Sequence, residues 1–212
     1  MKIYLGNQNN EEIYEELNTI DNMLISGGPG GGKTVYLSRI IKELTSTFTP
    51  EEVKFVIYDD KEVDYVKMKN SPYLLFPLAK NANEFKTQLE ELNQISSSRL
   101  ASKEKKPAII IIIDGYYAIT KCKETILNIL KDSKETNIHF FISSQTVSSF
   151  RGGLNKAVST RIAYWLFNDK ESTFFIGEKR AENLSMNGDV VVIVDKKRLK
   201  LTQKPYRNEL YL

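Results

Sequence analysis

The chain has 212 residues, and its 30 lysines and arginines against 27 aspartates and glutamates leave a net charge of +3, too small a surplus to identify a nucleic-acid-binding protein. Cys122 and His139 are the only residues of their types, so there is no intrachain disulfide, no cysteine-rich metal site and no His-Cys or Ser-His arrangement for catalysis, and a reducing cytoplasm is expected. The longest apolar run, 108–113, falls far short of the roughly 18 residues of a membrane helix, and 1–5 gives way to Gly6-Asn7-Gln8-Asn9-Asn10 without the apolar core of a signal peptide. A single α/β domain over 1–212 is the expectation.

In chain order, an apolar run at 22–26 leads into Gly27-Gly28-Pro29-Gly30-Gly31-Gly32-Lys33-Thr34, after which 35–44 has helical spacing. The octapeptide fits G-x-x-x-x-G-K-[ST], and strand, glycine loop and helix form the context this phosphate-binding motif needs. Glycines let backbone N–H groups converge on phosphate oxygens, and the helix N-terminus aims its positive end at the same anion. Lys33 is then expected to reach the β- and γ-phosphates of ATP and Thr34 to offer its hydroxyl to Mg2+.

A β-branched run at 53–58 ends in Tyr58-Asp59-Asp60-Lys61, with acids at a strand's carboxyl end, where ligands bind in open α/β sheets. Apolar residues at Phe85, Leu89, Leu92 and Ile95 suit an amphipathic helix over 85–99, and Lys103-Glu104-Lys105-Lys106 reads as a solvated loop. The isoleucine run 109–113 has the composition of a buried strand and ends in Asp114, the position of a Walker B carboxylate that holds magnesium or its water beside Thr34. A second amphipathic stretch, 122–134, precedes a strand at 138–143 with the polar tip Ser144-Gln145. Gln145 is either a sensor of the γ-phosphate and its attacking water or a surface amide, and His139 reads as a packing residue. Further runs at 161–167 and 189–194 complete a strand-helix alternation that implies a mostly parallel sheet covered on both faces. Lys196-Lys197-Arg198 and Lys200 read as a solvated sheet edge. Arg151 to Lys156 forms a mobile basic segment after the 138–143 strand and supplies the DNA-contact candidates Arg151 and Lys156.

With these residues in hand, the chain resembles the motor domain of the FtsK/SpoIIIE family, hexameric ATPases that pump double-stranded DNA. Leu5-Gly6 is similar to the family's opening "LG", Asp21 to Gly27 to "PHLLIAG", Val53 to Lys61 to "VKFLLIDPK", and Ser71 to Leu75 to "PHLL". Asn137 to Thr146 resembles "GIHLILATQR", Thr160-Arg161-Ile162-Ala163 "TRIAF", and Asn187-Gly188-Asp189-Val190 "GxGDML". The resemblance implies a RecA-like P-loop NTPase, core strand order 5-1-4-3-2 with the sheet extended after Asp189, a homo-oligomeric hexameric ring with ATP at subunit interfaces, and pore loops on DNA.

Four departures accompany it. Gly115 stands where the family has a catalytic glutamate, Glu171-Ser172-Thr173 replaces "DSR", the 99–107 segment is short, and neither a membrane anchor nor a winged-helix module accompanies the motor. Asp59 or Asp60 from the neighbouring strand, or Glu178 from an adjacent subunit, are candidates to orient water in place of the glutamate. The resemblance therefore leaves three functions open: ATP-driven movement of double-stranded DNA, movement of protein cargo as in type VII secretion relatives, and a regulatory module that holds ATP with little hydrolysis.

Overall fold

In the computed structural model, residues 1–59, 63–186 and 188–203 are described; Asp60, Lys61 and Asn187 lie outside them. The strands are β1 (Lys2–Gln8), β2 (Glu11–Glu16), β3 (Met23–Ser26), β4 (Val53–Asp59), β5 (Ala108–Asp114), β6 (Ile138–Ser144), β7 (Thr160–Ala163), β8 (Asp189–Val194) and β9 (Lys197–Thr202). The helices are α1 (Leu17–Ile20), α2 (Lys33–Thr47), α3 (Ala82–Ser102), α4 (Lys123–Leu130), α5 (Ser133–Thr136), α6 (Leu154–Ala157) and α7 (Asp169–Ile176). All nine strands share one sheet in the order β2-β1-β9-β8-β7-β3-β6-β5-β4. The β7-β3-β6-β5-β4 segment is parallel throughout, and the remaining pairings are antiparallel.

The isoleucine run explains how the sheet is covered. Side chains alternate across a strand, so Ile109, Ile111 and Ile113 enter one core while Ile110 and Ile112 enter the other. Each of the five is at most 1% exposed and contributes roughly 1.5–3 kcal/mol on burial. The first core is closed by Phe85, Leu89 and Leu92 of α3, Ile126 and Ile129 of α4, and Phe175 of α7. The second is closed by Tyr36, Leu37, Ile40, Ile41 and Leu44 of α2, which repeat at helical spacing. Asn81 caps α3 by accepting from the backbone N–H groups of Asn83 and Glu84, and the Glu84 carboxylate in turn accepts from the Lys80 N–H.

Three expectations are corrected. The run at 161–167 is a strand only to Ala163; beyond it the backbone turns to the end of β3 and the phosphate loop, the Tyr164 N–H donating to Ser26 O at 2.8 Å and the Gly28 N–H to Trp165 O at 2.9 Å. The 122–134 stretch is two helices, α4 and α5, separated near Lys131 and Asp132. Basic β9 is not the outermost strand, because β1 pairs with it at Asn7 and Thr202, while Lys196, Lys197, Arg198 and Lys200 stay exposed as a solvated edge would leave them. The edge beyond it is an N-terminal hairpin, closed where Asn9 (φ 52°) and Asn10 (φ 68°) take the left-handed conformation that asparagine tolerates. His139 packs as its apolar surroundings suggest: it is fully buried, its ring nitrogens 2.7 Å from Asp21 O and 2.9 Å from Asn137 Oδ1, and it ties the lead-in of β3 to β6.

Candidate nucleotide-binding site

The glycine loop leaves β3 at the carboxyl end of the parallel strands and enters α2 through Gly32, whose φ of 101° is a left-handed value that a side chain would strain. Gly27 is required for a different reason: a Cβ there would lie 2.4 Å from Tyr164 Cβ. Lys33 is 8% exposed, and its ammonium donates to Gly27 O at 2.7 Å and Gly28 O at 2.8 Å. The cation is thereby curled over the loop, at the place where phosphate oxygens meet backbone N–H groups.

From the end of β5, separated from β3 by β6, Asp114 comes to the same point. Its Oδ2 accepts from Thr34 Oγ1 at 2.6 Å and from the Tyr65 hydroxyl at 3.2 Å, and its Oδ1 accepts from Ser143 Oγ. Three hydroxyls thus fix one carboxylate. Burial, with the charge of Asp114 second, holds the Tyr65 hydroxyl well above the ordinary tyrosine pKa, so it is a permanent donor. Sequence patterns alone do not mark Tyr65 or Ser143 as site residues. Ser143 carries a signal, as the residue before the polar tip of β6; Tyr65, in the segment after β4, carries none.

A cavity of about 520 Å³ opens over this cluster, lined by 29–35, Asp114, Gly115, Tyr117, Ala118 and 143–146. Gln145 is exposed on its wall. Among the described residues that line it, Asp114 is the one carboxylate. Gly115 follows it at φ 107° and brings no acid. Asp59 pairs with Asp114 in the β4-β5 register, is 4% exposed and accepts from the Tyr65 N–H at 3.3 Å; it does not line the cavity. Glu178 is ion-paired with Arg198 at 3.4 Å and Arg180 at 3.7 Å, and Thr173 is exposed on α7. Arg151 and Lys156 are exposed on the connection from β6 to β7, outside the cavity, with the Arg151 guanidinium 5.5 Å from the Phe174 ring centroid.

The donor set suits magnesium. A hydroxyl and a carboxylate are hard oxygen donors, and no group of three or more His, Cys, Asp or Glu able to hold a metal exists among the described residues. A cation here would rely on Thr34, with Asp114 behind it, and on phosphate and water oxygens for its remaining positions.

A sequence model of the FtsK/SpoIIIE family matches residues 1–106, half of the chain. The chain belongs to the FtsK/SpoIIIE family. The "DNA translocase FtsK" of Chlamydia muridarum is 26% identical over 87% of this chain and that of Staphylococcus epidermidis 26% over 86%. The chain spans only 28% and 27% of those FtsK proteins. Among solved structures, the cytoplasmic domain of the Thermomonospora curvata type VII secretion ATPase EccC superposes with a TM-score of 0.83 at 14% identity, over 98% of this chain and 26% of that one. The pCW3 conjugation coupling protein TcpA, in a monomer form with ATPγS, gives 0.78 at 15% identity over 96% and 66%. The genome packaging NTPase of Sulfolobus turreted icosahedral virus 2, in complex with sulfate, gives 0.65 at 15% over 90% and 99%. These likenesses establish the FtsK/SpoIIIE chain as a P-loop ATPase fold. No helix among its described residues is long and apolar enough to cross a membrane.

Proposed function

We propose that this chain binds ATP with Mg2+ and is a motor module that couples nucleotide turnover to movement of double-stranded DNA, acting in a homo-oligomeric, hexameric ring. The observation that carries the nucleotide reading is the 2.6 Å hydrogen bond from Thr34 to Asp114 at the mouth of the loop, which joins the two halves of a triphosphate site. Backbone N–H groups of 30–34 and the Lys33 ammonium neutralise the phosphates, Lys33 exchanging its bonds to Gly27 O and Gly28 O for phosphate oxygens. Magnesium, when bound, neutralises charge on the β- and γ-oxygens. Asp114 holds the Thr34 hydroxyl by its proton, leaving the oxygen lone pairs for the cation. Gln145, on the cavity wall, is the candidate to orient the attacking water. Similarity along most of the chain to proteins named as DNA translocases supports duplex DNA over protein cargo.

Gly115 favours a second reading. With no carboxylate besides Asp114 lining the cavity among the described residues, those residues supply no general base there, a contribution typically worth 10²–10⁴-fold in rate. A module that holds ATP and turns it over slowly, unless a second copy supplies the acid, is the alternative. Steady-state ATP turnover measured with and without duplex DNA, beside Lys33→Ala, separates these. Lys33-dependent turnover stimulated by DNA supports the motor; tight binding without turnover supports the holding module; slow turnover indifferent to DNA points to other cargo.

A further inference from the structure

We propose that an apolar shelf made by Trp165, Phe167 and Met186, on the β7 side of the phosphate loop, holds the base of the nucleotide and selects a purine by stacking. This deepens the ATP-binding reading and rests on it.

Strand order gives the direction. β6 and β5, which carry Ser143 and Asp114 and lead into Gln145, lie on one flank of β3, and β7 lies on the other. The terminal phosphate belongs beside Asp114 and Thr34, which are hydrogen bonded to each other. A triphosphate running back across the first turn of α2 therefore delivers its nucleoside toward β7.

Large apolar side chains wait there. Trp165 is half-buried and its ring lies against the loop, so near that a Cβ on Gly28 would meet its Cε3 at 3.0 Å and Cζ3 at 3.1 Å. The Gly28 N–H bond to Trp165 O at 2.9 Å anchors the residue's backbone to the same loop. Phe167 meets the indole edge-on, with ring centroids 5.0 Å apart and an interplanar angle of 64°. Met186 borders, with Trp165, Gly28 and Gly31, a hollow too narrow to admit water, so the shelf is the exposed rim of these side chains and not the hollow. Phe167 and Met186, each beside Trp165, are 53% and 55% exposed, so both are open to a ligand arriving from solvent. Ser185, the polar residue of the hollow, donates to Asp189 at 3.0 Å. Rings and a thioether grip the flat face of a base without reading its edge, so larger purines are favoured over pyrimidines while adenine and guanine are treated alike.

Trp165 is the only tryptophan, so its fluorescence reports directly on the shelf. Binding of ATP, GTP, UTP and inorganic tripolyphosphate, each with Mg2+, is followed by calorimetry and by indole emission in parallel. ATP and GTP are expected to quench the emission, UTP to bind more weakly, and tripolyphosphate to bind without the change. Replacing exposed Phe167 and Met186 with alanine should weaken ATP by about tenfold and leave tripolyphosphate alone. Calorimetric uptake of ATP with no fluorescence change, or with the change tripolyphosphate also produces, overturns the shelf and leaves the phosphate site standing. No uptake of either ligand overturns both.

Discussion

Replacing Tyr65 with phenylalanine removes one of the three hydroxyls that hold Asp114 and changes little else, because the ring is fully buried and keeps its packing. A hydrogen bond to a charged acceptor contributes about 1.5–3 kcal/mol net. Asp114 is half-buried and borders the cavity, so water replaces part of that, and about 1 kcal/mol is the expected loss. For a chain of this length that lowers Tm by roughly 2–4 °C. The functional consequence follows from the shared oxygen: Oδ2 also accepts from Thr34, and a carboxylate freed to rotate no longer aims that hydroxyl's lone pairs at the cation. Calorimetry of ATP in Mg2+ should show affinity down roughly fivefold, equivalent to about 1 kcal/mol, while ATP in EDTA binds as before. An equal loss in EDTA would mean general loosening of the site, and no loss in either buffer would refute the positioning role of Tyr65.

Gly27→Ala drives a Cβ to 2.4 Å from Tyr164 Cβ and 3.2 Å from Tyr164 Cα; overpacking against backbone costs about 1–3 kcal/mol, so a thermal scan should show a fall in Tm, and a wild-type midpoint would show that the backbone after β7 yields freely. Asp21 should contribute an acid-sensitive part of stability. Burial raises its pKa, but hydrogen bonds from His139 and Ser133 outweigh that and hold it below 3.8, so its contribution is complete above that value and lost as pH falls through the folded pKa. Asp21→Asn is expected to be less stable at neutral pH with a flatter acid limb in urea titrations; parallel curves would contradict this. Arg151→Ala with Lys156→Ala should weaken duplex DNA binding and reduce the slope of log affinity against log salt by about one for each phosphate no longer neutralised; unchanged affinity in filter binding would remove this segment from the DNA path.

Local chemistry makes much of this protein legible in one dimension. The phosphate loop, the isoleucine strand ending in Asp114 and the polar tip of β6 are readable because each combines a short pattern with a residue type that few other structures need there. Helix α3 is readable from periodicity, since one face must be apolar to pack on a sheet. Distant partners set the rest. The 161–167 run stops being a strand at Ala163 because the end of β3 and the loop backbone claim the next groups, and β9 is not outermost because a hairpin of weakly patterned residues pairs with its end at Thr202. Tyr65 reaches Asp114 across 49 residues and Trp165 reaches Gly28 from the segment that follows β7. The amino-acid order alone was enough to propose a triphosphate site and to name the residues of its loop; only tertiary structure decided which hydroxyls hold Asp114 and which aromatic ring flanks the loop, because hydrogen bonds and ring contacts depend on distance in space, and separation along the chain does not encode that.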